Sequence, residues 1–242
     1  MANEHASGYH LAAARVPAAS SLIRPVLERA PRSAAAEAFR SLRTALDFLD
    51  PATTQAFAVT SPGPGEGKST CAAYLAIALA QVGRRVLLVD ADMRRPSLHQ
   101  CFATGQAVGL SQLLTAKSIE AQPTRSGIEG LSVIPSGVIP PNPSEILAGT
   151  ALSRQLEGWR SDFQHVVFDT PPLLAVTDAL VLARQVDGVI LVARVGATRD
   201  RSLQRSIALL REAEVRLLGS VVNDISPAAG SEYGYGYYRE QS

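Results

Sequence analysis

Apolar residues recur along this chain in two periods, and the alternation between them predicts its architecture. From Ser33 to Asp50 the period is helical, with Phe39, Leu42, Leu46 and Leu49 falling on one face. Ser33 stands where a helix N-cap belongs, and Pro51 closes the segment. Short, continuously apolar runs follow at Ala56–Thr60, Val86–Asp90, Leu131–Pro135, Val166–Asp169, Gly188–Val192 and Leu217–Val222. Helical patterns separate them, notably Ser69–Val82, which ends at Gly83, and Arg199–Ala213, with Leu203, Ile207 and Leu210 on one stripe. Strand runs that do not alternate, each separated by a helix, predict an α/β fold: a mostly parallel sheet with helices on both faces. Residues 1–32 mix Ala, Ser, Pro and Arg without periodicity and read as a flexible N-terminal arm; 33–227 form the α/β domain, and 228–242 a tail that loses the pattern.

Composition narrows the function. At 242 residues the chain is long enough for one large domain with a sizeable core. Its 23 Lys+Arg balance 22 Asp+Glu, a net charge of +1, which argues against a nucleic-acid or polybasic membrane binder. Cys71 and Cys101 have neither disulfide nor metal-ligand spacing and read as buried apolar side chains in a reducing cytosol. The longest apolar run, Cys71–Leu79, is too short to span a bilayer and reads as a buried helix. Residues 1–20 lack the continuous apolar centre of a signal peptide. The expectation is a soluble cytoplasmic protein that reaches a membrane only through a partner.

The chemistry concentrates at the ends of three strands. After Ala56–Thr60 comes Ser61-Pro-Gly-Pro-Gly-Glu-Gly-Lys68-Ser69-Thr70, then a helix. Gly63, Gly65 and Gly67 let backbone N–H groups, with those of Glu66 and Thr70, turn inward around phosphates, and the helix N-terminus adds its positive end. Lys68 is placed to reach the β- and γ-phosphates of ATP and the Ser69 hydroxyl to bind Mg²⁺. The usual first glycine is Pro62 here, followed at once by Gly63, so the loop is shifted. The strand Val86–Asp90 ends in two carboxylates at i and i+2, Asp90 and Asp92, both able to point to one mouth of the sheet. The strand ending at Asp169-Thr-Pro delivers a third to the same edge. Taken alone, each Asp would also serve as a helix cap or turn residue. Together beside the loop, Asp90, Asp92 and Asp169 predict a Mg-nucleotide site.

These three motifs resemble the Walker-type motifs of the bacterial tyrosine kinases, the exopolysaccharide autokinase family. So do Glu37-Ala-Phe-Arg40-Ser-Leu-Arg43, similar to the family's E-x-x-R-x-x-R assembly motif, and Ile134–Leu147 with its Pro-Pro-Asn-Pro-Ser-Glu-Ile-Leu stretch. Tyr233, Tyr235, Tyr237 and Tyr238 crowd the tail like the family's tyrosine cluster. The resemblance covers the chain from about residue 33 to the C-terminus. It implies an ATP- and Mg²⁺-dependent autokinase of P-loop NTPase fold that phosphorylates those tyrosines in trans. It also implies a ring-like homo-oligomer joined through Glu37, Arg40 and Arg43, a transmembrane chain-length-determinant activator at the inner face of the membrane, and a phosphotyrosine phosphatase. Lys68, Asp90, Asp92 and Asp169 would be catalytic, with Asp90 orienting or accepting the phenol proton; Ser69 and the three carboxylates would surround the metal. Arg94 would be an additional cation for the phosphates, and Asn223 would contact the adenine.

Plainer readings stand beside these. Spacing alone makes Glu37, Arg40 and Arg43 equally a solvated stripe with local ion pairs. Asn223 also suits a turn, and the tail could be a sticky aromatic segment. The alternative function is a positioning ATPase of the ParA/MinD type, but the signature lysine of that group would stand at Gly63 and is missing. A nucleotide-bound scaffold without turnover is the non-enzymatic alternative.

Overall fold

A computed structural model describes residues 10–14, 34–49, 55–115 and 122–223. The eight strands are β1 (His10–Ala14), β2 (Ala56–Thr60), β3 (Val86–Asp90), β4 (Thr124–Arg125), β5 (Leu131–Ile134), β6 (His165–Asp169), β7 (Gly188–Arg194) and β8 (Leu217–Asn223). They form one sheet in the order β1-β8-β7-β2-β6-β3-β5-β4. Every pairing is parallel except that of β4 with β5. β2 and β3 are buried along their whole length, because helices cover both faces, and this is why their sequences run apolar without alternation.

On one face lie α1 (Ala34–Asp47) and α2 (Lys68–Ala80). Helix α2 is buried from Thr70 to Ala80, as its all-round apolar sequence requires. Phe39 of α1 meets Tyr74 of α2 with ring centroids 5.2 Å apart, and rings buried to this degree contribute on the order of 2 kcal/mol each. The other face carries α5 (Pro143–Ala148), α6 (Thr150–Asp162), α7 (Asp178–Ala183) and α8 (Asp200–Glu212). There Leu147, Leu152, Trp159, Phe168, Leu182 and Leu210 belong to one core. Two short helices, α3 (Leu98–Cys101) and α4 (Leu110–Thr115), follow β3. None of the helices in the described residues is long and apolar enough to cross a membrane.

The expected strands all form, with ends moved by a residue or two. The N-terminal segment departs from expectation. Residues 10–14, inside the stretch read as a flexible arm, are a strand that pairs in parallel with β8, His10 opposite Gly219 through Ala14 opposite Asn223. The edge of β8 supplies a ladder of backbone groups, so the pairing does not depend on an apolar pattern in the added strand. Cys71 is buried as expected, whereas Cys101 is only half-buried. Ser33, the proposed N-cap, and the tail tyrosines lie outside the described residues.

Candidate nucleotide and phosphoryl-transfer site

The site sits at the carboxyl ends of β2, β3 and β6, which are neighbours in the sheet. β2 runs into the loop Ser61–Gly67 and then α2, whose backbone ladder opens with the Cys71 N–H donating to the Gly67 carbonyl at 2.9 Å. Gly65 and Gly67 adopt left-handed φ values of 76° and 93°. Only glycine takes these without strain, and they let the loop curl into a phosphate cradle. A Cβ at Gly67 would stand 2.2 Å from Asn223 Nδ2, so that position excludes a side chain on space as well.

Lys68 lies at the mouth of the loop with its side chain 13% exposed. Its Nζ is 3.0 Å from Asp92 Oδ2 and donates to Ser69 Oγ at 3.2 Å. Burial on its own would lower the ammonium pKa, but Asp169, Asp92 and Asp90 together outweigh it, so the group is raised and firmly charged. The lysine therefore rests on an acidic cluster that stands in for phosphate.

The three carboxylates have separate tasks. Asp90 and Asp169 are direct register partners across β3 and β6, hence side by side. Asp90 is fully buried, and its Oδ2 accepts from the Ser97 and Leu98 amides at 3.0 Å each, capping α3. Its Oδ1 has only a 3.3 Å contact from the Asp92 amide. Burial and the Asp169 charge lift the Asp90 carboxyl well above the usual range, against the pull of the Leu98 and Ser97 amides. Asp92 Oδ1 accepts from the Arg94 and Arg95 amides at 3.3 and 2.9 Å, which shapes the turn after β3. Asp169 is fully buried and neither of its oxygens has a hydrogen-bond partner. Burial raises its carboxyl, while Lys68 and the Ser69 hydroxyl favour its ionised form.

Asp90, Asp92 and Asp169, the three acids expected around a metal, all lie near Lys68 at this edge of the sheet. Among the described residues no group of three or more His, Cys, Asp or Glu is placed to hold an ion. Asp90 is turned to the α3 amides and Asp92 to Lys68, which leaves Ser69 and Asp169. A hydroxyl and an orphaned buried carboxylate beside a phosphate loop suit Mg²⁺ bound mainly through phosphate oxygens and water.

Arg94 is also committed elsewhere. Its guanidinium makes a bidentate pair with Asp178 at 2.7 and 3.1 Å, and Asp178, at the start of α7, is fully buried and also accepts from the Ser144 hydroxyl. The Pro-Pro-Asn-Pro-Ser-Glu stretch thus delivers Ser144 to an anchor for the Asp92 turn. Asn223, at the end of β8, is 5% exposed, and its Nδ2 donates to the Glu66 carbonyl at 3.0 Å. Glu66, also 5% exposed, accepts the Gly63 N–H at 3.0 Å and the Thr198 hydroxyl at 2.6 Å. Thr198 and Asp178 belong to no recognised motif, whereas Ser144 lies in the Pro-Pro-Asn-Pro-Ser-Glu stretch.

On α1, Glu37 and Arg40 pair with each other and are each 33% exposed. Arg43 reaches back to donate to the Ala78 carbonyl near the end of α2 at 3.3 Å.

A family profile described as "ParA: NUBPL iron-transfer P-loop NTPase" matches residues 52–233. Tyrosine-protein kinase YwqD of Bacillus subtilis is 39% identical over 207 residues, covering 85% of this chain and 87% of YwqD. Tyrosine-protein kinase Etk of Escherichia coli is 38% identical over 208 residues, 85% of this chain but only 28% of Etk. The solved kinase domain of E. coli Etk superposes with a TM-score of 0.84 at 32% identity, covering 95% of each chain. The BceF tyrosine kinase domain gives 0.77 at 40% identity, over 85% of this chain and 83% of that one. MinD of Pyrococcus horikoshii, complexed with Mg-ADP, shares the fold at 21% identity and a TM-score of 0.60 over 74% of this chain and 76% of MinD.

Proposed function

This chain belongs to the bacterial tyrosine-protein kinases, as a protein-tyrosine kinase of P-loop NTPase fold, and we propose that it is an ATP- and Mg²⁺-dependent autokinase whose acceptors are Tyr233, Tyr235, Tyr237 and Tyr238. The observation that carries this reading is the fully buried Asp169 carboxylate beside Lys68 and Ser69, at a loop shaped for phosphates.

The residues divide the work. The loop amides and Lys68 bind the phosphates, for which Lys68 leaves Asp92. Ser69 and Asp169 would hold Mg²⁺, which would supply charge neutralisation for the transferring phosphoryl group. Asp90 orients the phenol and, in its ionised form, takes its proton. Phosphoryl transfer asks chiefly for positioning and charge, and the hydrogen-bonded turn between Asp90 and Arg95 supplies both.

Four phenols spaced by glycines can enter another copy's site in extended form, so phosphorylation runs in trans within a ring joined through Glu37, Arg40 and Arg43. Each phosphate brings about −1.5 to −2 charges, and the charged tail then leaves the acidic site and the ring dissociates. A phosphatase resets the cycle. A transmembrane chain-length-determinant protein holds the kinase at the cytoplasmic face of the membrane, where the cycle regulates exopolysaccharide synthesis and export.

The test is purified protein with labelled ATP and Mg²⁺, followed by phosphoamino-acid analysis and mapping. Phosphotyrosine confined to residues 233–238 is expected, and the variant with all four changed to Phe should bind Mg-ATP yet remain assembled. Undiminished phosphotyrosine in that variant would sink the acceptor assignment. Hydrolysis without any phosphotyrosine would favour the positioning-ATPase alternative.

A further inference from the structure

The phosphate loop has an outer wall as well as an inner one. Three residues from the ends of β7 and β8 and the turn after β7 grip it from outside. Arg194 Nη1 donates to the Gly65 carbonyl at 3.2 Å, and Asn223 Nδ2 donates to the Glu66 carbonyl at 3.0 Å. The Thr198 hydroxyl donates to Glu66 Oε1 at 2.6 Å while accepting the Arg194 N–H at 2.8 Å. The other Glu66 oxygen closes the loop on itself through the Gly63 N–H at 3.0 Å.

The consequence follows from peptide geometry. In a trans peptide the C=O of one residue and the N–H of the next point in opposite directions, and the chain contains no cis bonds among its described residues. A Gly65 carbonyl held outward by Arg194 turns the Glu66 N–H inward. A Glu66 carbonyl held outward by Asn223 turns the Gly67 N–H inward. Those two amides flank Glu66, between the left-handed Gly65 and Gly67 where the cradle bends. Glu66 is a buried side chain whose two oxygens are both occupied, so it locks the turn without reaching the ligand side.

We propose that Arg194, Thr198 and Asn223 are positioning residues for the nucleotide's phosphates, acting by orienting loop amides rather than by touching the ligand. For Asn223 this replaces adenine contact as its main task. The loop keeps its phosphate-receiving shape before nucleotide arrives, which lowers the entropy lost on binding.

The test compares Mg-ATP with Mg-tripolyphosphate, which has the phosphates and no base, by calorimetry on the full chain. Thr198→Val and Asn223→Ser should each weaken both ligands about tenfold, the scale of one lost hydrogen bond. Thr198→Ser, which restores the hydroxyl, should bind both like the native chain. The inference is overturned for Asn223 if its variant loses ATP affinity but keeps tripolyphosphate affinity, since that is adenine recognition. It is overturned for Thr198 if the Ser variant is as weak as the Val variant, or if neither changes affinity. Because the readout is binding, it stands or falls separately from the identity of the acceptor tyrosines.

Discussion

Replacing Lys68 by Met should do more than silence the enzyme; it should unbalance the site in a pH-dependent way. Its ammonium is the cation 3.0 Å from Asp92, itself 4% exposed, and the Lys68 charge is the leading influence that restrains Asp169 against burial. Without it, buried carboxylates face one another with no counter-charge. Removing one partner of a buried pair typically costs about 3–5 kcal/mol when the other stays ionised. The carboxyls can escape much of that by taking up protons, because Asp90 and Asp169 are already raised. The sign follows from linkage. A carboxyl whose folded pKa lies above its unfolded value costs nothing below the unfolded value and progressively more as pH rises from there to the folded pKa, each unit amounting to about 1.4 kcal/mol. In the variant Asp169 loses its largest restraint and moves further up. The destabilisation relative to the native chain should therefore be slight near pH 5 and reach roughly 2–4 kcal/mol by pH 8. Urea unfolding at both pH values measures it, alongside phosphotyrosine formation, which should be absent at both. Adding Asp92→Asn to Lys68→Met should recover part of the stability at pH 8 and none of the activity. A pH-independent difference in midpoint would refute the view that Lys68 is the counter-charge of this cluster.

Two other outcomes are expected. Changing Arg40 and Arg43 to Ala should break the proposed assembly and lower phosphorylation in trans. It should cost the protomer only about 1 kcal/mol, since Arg43 gives up one bond to the Ala78 carbonyl; an unchanged mass by light scattering would return these residues to a merely solvated stripe. His165 is held down to about 4 from 6.5, by burial first and then by Arg84, whose guanidinium lies 3.0 Å from Nε2. A depressed histidine contributes stability that is present above 6.5 and lost as pH falls towards 4, at most about 3 kcal/mol. A His165→Gln variant should flatten that slope, and an identical slope would contradict it.

What could be read from the sequence, and what could not, divides along a physical line. Fully buried parallel strands must be apolar on both sides, so β2, β3 and β6 announced themselves as uninterrupted runs. β1 is His-Leu-Ala-Ala-Ala, without a β-branched residue, and its place comes from the backbone ladder that β8 offers. β4 is two exposed residues, Thr124 and Arg125, with no apolar signal to find. The site divides the same way. Lys68, Ser69 and the three aspartates stand out in the sequence because a phosphate and a metal ion would accept few residue types, and the structure brings these five to one edge of the sheet. Their supports do not, for two reasons. Arg94 and Asp178 are 84 positions apart, Thr198 and Glu66 are 132 apart, and Asn223 and Glu66 are 157 apart, so no local pattern joins them. Two of the groups held on the loop, the Gly65 and Glu66 carbonyls, are also backbone, which any donor of suitable length satisfies. An Arg and an Asn do so here, and a different pair of donors would serve equally well. The inner wall of the cradle meets a ligand of fixed chemistry and is written in a narrow alphabet. The outer wall meets the chain's own backbone and is written in a broad one, so its residues become recognisable only once β7 and β8 are known to flank the loop.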